Sequence, residues 1–188
     1  MPTLKKIRDT MKKQKIKDEI MAQMDFEANC NNPLNIIALI DKMDELLTKE
    51  QCFSIMEKQG CCKRGKRDRD CKAFALEHAD KTLNEKLALI SSIQYMMSPS
   101  LNDDGTFTVT FSDQNGVHSG KNTCSCGSIK KLKQPFLVSP TYCGCCAGHF
   151  IYHYQNALCV KLKLKEINSS PLNTNGEKPC EFTFEVIK

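Results

Sequence analysis

The chain has 188 residues, 40% hydrophobic and 26% charged, a balance that excludes a disordered or fibrous polymer and suits one sizeable core. Its net charge of +5 is modest and no Arg-rich strand is interleaved with aromatics, so direct nucleic-acid readout is not expected. No apolar run is long enough to cross a bilayer, and the stretch MPTLKKIRDTMKKQKIKDEI lacks the apolar core of a signal peptide, so the expectation is a cytoplasmic chain with no membrane partner.

Residues 3 to 25 read as a basic amphipathic helix. Leu4, Ile7 and Met11 share one side, Ile20, Met21 and Met24 extend it less regularly, and packing on the body is favoured over a membrane or nucleic-acid role. Asn32 and Pro33 start a second helix with Ile36, Ile40, Met43 and Leu47 at core spacing. A short helix over residues 51 to 60 ends at Gly60, a good C-cap. Cys61 and Cys62 then run into KRGKRDRD and Cys71. Nearby cations lower a thiol's pKa, so this pair reads either as reactive thiols or ligands, or as small residues beside a solvated charged loop. Thr82 and Glu85 form a capping box for a helix that turns Leu83, Leu87, Ile90, Ile93 and Met97 inward and stops at Pro99. The polar stretch SPSLNDDG is the best boundary, dividing a helical half (1–99) from an α+β half (100–188) that pack as one compact unit.

Thr106 to Phe111 alternates and is β-branched or aromatic, hence a strand, with a turn at Asp113 to Gly116 and a partner strand expected from Val117. Ser139 caps, and Pro140 opens, a helix whose first turn holds Cys143, where the helix dipole favours a thiolate. Two strands close the chain. In the first, Val160, Leu162 and Leu164 face one way and Lys161, Lys163 and Lys165 the other, and extending the alternation puts Glu166 on the apolar face. In the second, Phe182, Phe184 and Val186 share a face, with Cys180 opening it on the apolar side. An inward carboxylate needs a partner, and a hairpin would bring Cys180 to Glu166, with Cys143 completing a cluster. The fold class expected is α+β, N-terminal helices on a C-terminal antiparallel sheet with one long helix.

The 12 cysteines need a reason, because a reducing compartment disfavours a disulfide framework. Thiolate and carboxylate ligation suits zinc, so Cys143, Glu166 and Cys180 are the candidate metal ligands, with Cys145, Cys146, Cys124 and Cys126 as additional ones. An iron–sulfur cluster on Cys124, Cys126, Cys145 and Cys146 is the lesser alternative. Cys145, His149 and His153 recur at helical spacing, which makes Cys145 and His149 the candidate catalytic pair.

The set Cys143, Gly148, Glu166, Gly176 and Cys180 resembles the 4-vinyl reductase-type ligand-binding domain, a small-molecule-binding module that includes the sensor regions of phenol-responsive activators. The resemblance implies a structural zinc on a helix-borne Cys, a Glu, a Cys three residues beyond it and a Cys after a Gly. Here the third of these positions is Ser169, for which Cys145 or Cys146 would substitute. It also implies a pocket between the sheet and its covering helices, with Phe107, Phe111, Phe150, Tyr154, Phe182 and Phe184 as lining, for an apolar or aromatic small molecule. Met56 to Cys62 further resembles bacterial proteins similar to L-2-amino-thiazoline-4-carboxylic acid hydrolase. The function expected is therefore a small-molecule-binding or sensing protein with a Cys-rich, zinc-compatible site. The alternative is a hydrolase acting on a small cyclic thiazoline-like substrate through a Cys/His site. A second copy of the chain, as a homodimer, is the one protein partner expected.

Overall fold

The computed structural model describes residues 2–29, 32–60, 63–94, 96–97, 99–111, 117–118, 121–129, 132 and 137–187. Cys61, Cys62 and the turn at Asp113 to Gly116, all singled out from sequence, lie outside the described residues. Among the described residues six α-helices precede the sheet: α1 (Leu4–Lys13), α2 (Asp18–Met21), α3 (Pro33–Leu46), α4 (Lys49–Glu57), α5 (Lys66–Glu77) and α6 (Leu83–Leu89). The expected first helix is split into α1 and α2, because Lys15 takes a left-handed conformation with φ 57°. Its inward side is as read: Leu4, Ile7 and Met11 are fully buried. The capping box at Thr82 and Glu85 forms, but α6 yields to a 3-10 turn at Ile90–Ser92, well short of Pro99. The charged run is not a loop throughout: from Lys66 it is the first turns of α5.

The strands β1 (Ser100–Leu101), β2 (Phe107–Phe111), β5 (Lys161–Ser169) and β6 (Cys180–Ile187) form an antiparallel sheet in the order β1-β2-β6-β5. The short β3 (Val117–His118) and β4 (Lys121–Asn122) pair with each other, so the strand from Val117 is not the partner of β2, whose neighbours are β1 and β6. The architecture is α+β, helices packed on an antiparallel sheet, as the alternation and caps indicate.

The long helix α7 (Gly144–Leu158) lies between α4, α5 and the sheet. A 3-10 turn, Pro140–Cys143, leads into it, capped by the Ser139 hydroxyl, which accepts from Thr141 N at 3.1 Å. Asp44 of α3 accepts from both hydroxyls, Ser139 and, at 2.6 Å, Thr141. At the other end the Gln155 side chain accepts from Leu162 N at 2.7 Å, tying α7 to β5. Phe150 meets Phe182 and Phe111 at ring separations of 5.6 Å, and Tyr154 meets Phe107 at 5.7 Å. Burying each such ring contributes about 2 kcal/mol. The core these residues belong to is continuous from Leu4 to Phe184, so both halves of the chain share it.

Candidate functional site, a thiol-lined cavity

Glycine sets the position of α7. A Cβ at Gly148 would stand 1.8 Å from the Glu57 carbonyl oxygen, and one at Gly144 would stand 2.6 Å from the Met56 Cβ. At i and i+4 these two positions lie on one side of the helix, which therefore lies backbone to backbone against α4. On another side, α5 and α7 are joined by three successive contacts. Arg67 reaches His149 Nε2 at 2.6 Å, the Tyr152 hydroxyl donates to Asp68 at 2.9 Å, and the Cys71 thiol meets His153 Nδ1 at 3.8 Å.

Between α5, α7, β2 and β6 lies a cavity of about 580 Å³. Phe111, Phe150 and Phe182 supply its aromatic wall. Cys145 and Cys146 of α7, Cys180 of β6, and Cys124 and Cys126 of the segment before α7 add sulfur. Among the described residues the rest of the lining is polar or charged apart from Gly127: Gln94, Ser125 and His149, with Arg64, Lys66 and Arg67 against one carboxylate, Asp70. Arg64 and Lys66 are exposed and Arg67 half-buried, so the cations mark the solvent side. Tyr142, fully buried, holds the Cys126 thiol at 3.7 Å, and the Cys126 amide donates to the Cys124 sulfur at 3.4 Å.

The thiols are not equivalent. Burial pushes Cys180 up, and the charges of Cys146, Cys124 and Cys126 push the same way. Cys143 is likewise raised, by burial first and then by Cys146, against a hydrogen bond from Ser170. A position near the start of the helix therefore does not make Cys143 a thiolate, because desolvation outweighs the dipole. The interaction between the adjacent Cys145 and Cys146 sulfurs pushes Cys145 up and Cys146 down. Cys146 is the third residue of α7 and half-buried, where the helix dipole favours the anion and burial opposes it.

The structure brings Cys124, Cys126, Cys143, Cys145, Cys146 and Cys180 into one region and leaves Glu166 out. The alternation that pointed Glu166 inward is broken by a bulge: Leu164 pairs with Phe184 and Glu166 with Thr183, two steps on β5 for one on β6. Beyond it Ile167, 4% exposed, takes the inward place. Glu166 instead meets Lys49 of α4, with both carboxylate oxygens 2.6 Å from Nζ. Cys180 lies opposite Phe111, not Glu166. At the position where the resemblance asks for a third cysteine, Ser169 is buried and donates to the Pro179 carbonyl at 2.8 Å. The zinc set implied by the resemblance is thus not assembled, and among the described residues no three His, Cys, Asp or Glu side chains could hold a metal ion.

Cys145 and His149 both line the cavity, but His149 Nε2 faces the Arg67 guanidinium, which uses the lone pair a general base needs. Of the six aromatics proposed as lining, Phe111, Phe150 and Phe182 reach the cavity, while Phe107, Tyr154 and Phe184 are closed core. Sequence reasoning missed Arg67. The signal was present, since Arg67, Cys71 and Phe74 fall at i, i+4 and i+7, and the latter two are buried. Comparison with protein-family models, curated proteins and solved structures finds no match to the chain. Among the described residues no helix is long and apolar enough to cross a membrane.

Proposed function

We propose that the protein is a small-molecule-binding module whose ligand is an organic acid with an apolar, aromatic or aliphatic body. The observation that carries this reading is the lining of the α5–α7 cavity, where, among the described residues, three phenylalanines and five cysteines share one solvent-open hollow with three cations and one carboxylate. A volume of about 580 Å³ falls in the range of small-molecule sites. Aromatic rings and polarizable sulfur favour an apolar body by dispersion and area burial. Arg64 and Arg67, flanking the solvent side, favour an anion and can grip a carboxylate with paired N–H donors.

Calorimetric titration with 4-phenylbutyrate and with its neutral amide tests this reading. The acid is expected to bind about tenfold or more tighter than the amide, the worth of one charge-assisted contact. Arg67→Gln should remove most of that difference while leaving amide binding in place. Equal affinities for acid and amide, or no binding of either, would overturn the proposal.

A further inference from the structure

Among the described residues five cysteines line the cavity and Cys143 lies close by, yet all but one of these six have reasons to be inert or secondary. Cys143 is sealed beneath the helix start, Cys180 is buried at the head of β6, Cys124 and Cys126 belong to a segment held by Tyr142, and Cys145 is buried, 5% exposed. Cys146 differs in where it stands. It sits in the first turn of a 15-residue helix, and it lines the cavity while only half-buried. The charged groups that share the cavity with it are Arg64, Lys66, Arg67 and Asp70, with His149 one turn along α7.

We infer that Cys146 is the nucleophile of the cavity, a site of covalent capture for small electrophiles that carry an acid group. This rests on the cavity being a ligand site as proposed above. The electrophile class that fits is an α,β-unsaturated carbonyl compound bearing a carboxylate. The carboxylate pairs with the guanidinium groups, and the Cys146 sulfur forms a C–S bond to the β-carbon. The C=C π pair moves to the α-carbon, and that carbon takes the proton held by Cys145. Nothing leaves and no co-reactant is consumed, so the product is a thioether and Cys145 regains a proton from water.

Haloacetates provide a probe pair, since alkylation forms the same C–S bond as iodide departs with its bonding pair. The reduced full-length protein is treated with iodoacetate or iodoacetamide at neutral pH, and labelling is followed by peptide mapping. Cys159, exposed at the end of α7, serves as the internal reference. Cys146 is expected to be alkylated first, with an iodoacetate-to-iodoacetamide rate ratio at least about fivefold above that of Cys159, because the basic lining concentrates the anion. Cys145→Ser should slow Cys146 several-fold without changing Cys159. Labelling of Cys159 ahead of Cys146, or the same ratio at both, would overturn the assignment, and both measurements are made on the unsubstituted chain. Binding of 4-phenylbutyrate to a protein whose Cys146 is unreactive would overturn the nucleophile alone. Fast, iodoacetate-selective labelling of Cys146 in a protein that does not bind 4-phenylbutyrate would uphold the nucleophile and overturn the organic-acid reading alone.

Discussion

Two hollows of nearly equal size flank the α4–α7 pair, and they differ in everything except volume. The one between α5, α7 and the sheet measures about 580 Å³ and the one between α4 and β5 about 560 Å³. In the second, charges are balanced and paired at the surface: Lys49 meets Glu166, and Lys58 meets Glu57 at 2.8 Å. In the first, aromatic rings and sulfur form the walls, and among the described lining residues the cations outnumber the carboxylates. Space alone does not make a ligand site. A hollow whose charges already cancel offers an incoming ion little, whereas an excess of one sign over an apolar floor selects an amphiphilic anion.

The comparison depends on the partition between the hollows, which is the contact of α4 with α7. Gly148→Ala places a methyl group where the Glu57 carbonyl already stands, and backbone cannot yield as a side chain can. We expect a loss of about 3 kcal/mol or more in chemical denaturation, with loss of ligand binding at the thiol cavity. A loss below about 1 kcal/mol would show that the helices part easily and that the two hollows are not separately defined.

A smaller effect sharpens the contrast between reactive and merely buried thiols. Burial pushes Cys52 of α4 up to about 12 and Cys71 of α5 up to about 11, from an ordinary value of 9.0. A thiol whose pKa rises on folding holds its proton better in the folded chain. Its contribution is intact below about pH 9 and is lost as pH climbs toward 11 and 12, on the order of 2 kcal/mol for each group. Thermal unfolding between pH 8 and 11.5 should show the melting temperature falling above pH 9, with a shallower fall in the Cys52→Ala, Cys71→Ala double variant. An unchanged slope would mean that these thiols titrate alike in the folded and unfolded chains.

The smallest effect belongs to the second hollow. Lys49 and Glu166 expose about half of their side chains, so their ion pair is screened by water. Lys49→Ala should cost less than about 0.5 kcal/mol and leave binding at the thiol cavity unchanged. A loss of more than 1 kcal/mol, or of binding, would give Glu166 the structural weight that the bulge denies it.

What the sequence shows of this fold is what local chemistry controls. Ser139 and Pro140 announce the approach to α7, Thr82 and Glu85 the start of α6, and the alternation from Cys180 to Val186 the central strand. Glu166 was misplaced because a bulge belongs to the pairing of two strands, and neither strand alone encodes the extra residue at Lys165. Gly144 drew no reading and Gly148 entered only through the resemblance, because their packing role depends on α4 lying against them. The thiol region was half legible. The close spacings Cys124 to Cys126 and Cys143 to Cys146 are visible, but their convergence with Cys180 depends on the tertiary fold, and so does the role of Arg67, hidden in a charged run that resembles a solvated loop.

Nuclear magnetic resonance of protein carrying ¹³C-labelled phenylalanine rings, titrated with 4-phenylbutyrate, tests the central claim most directly, because each hollow has its own reporters. Saturable shifts at Phe111, Phe150 and Phe182, with Phe53 beside Lys49 unmoved, are the result this account predicts. Shifts at Phe53, or none at the three rings of the thiol cavity, would contradict it.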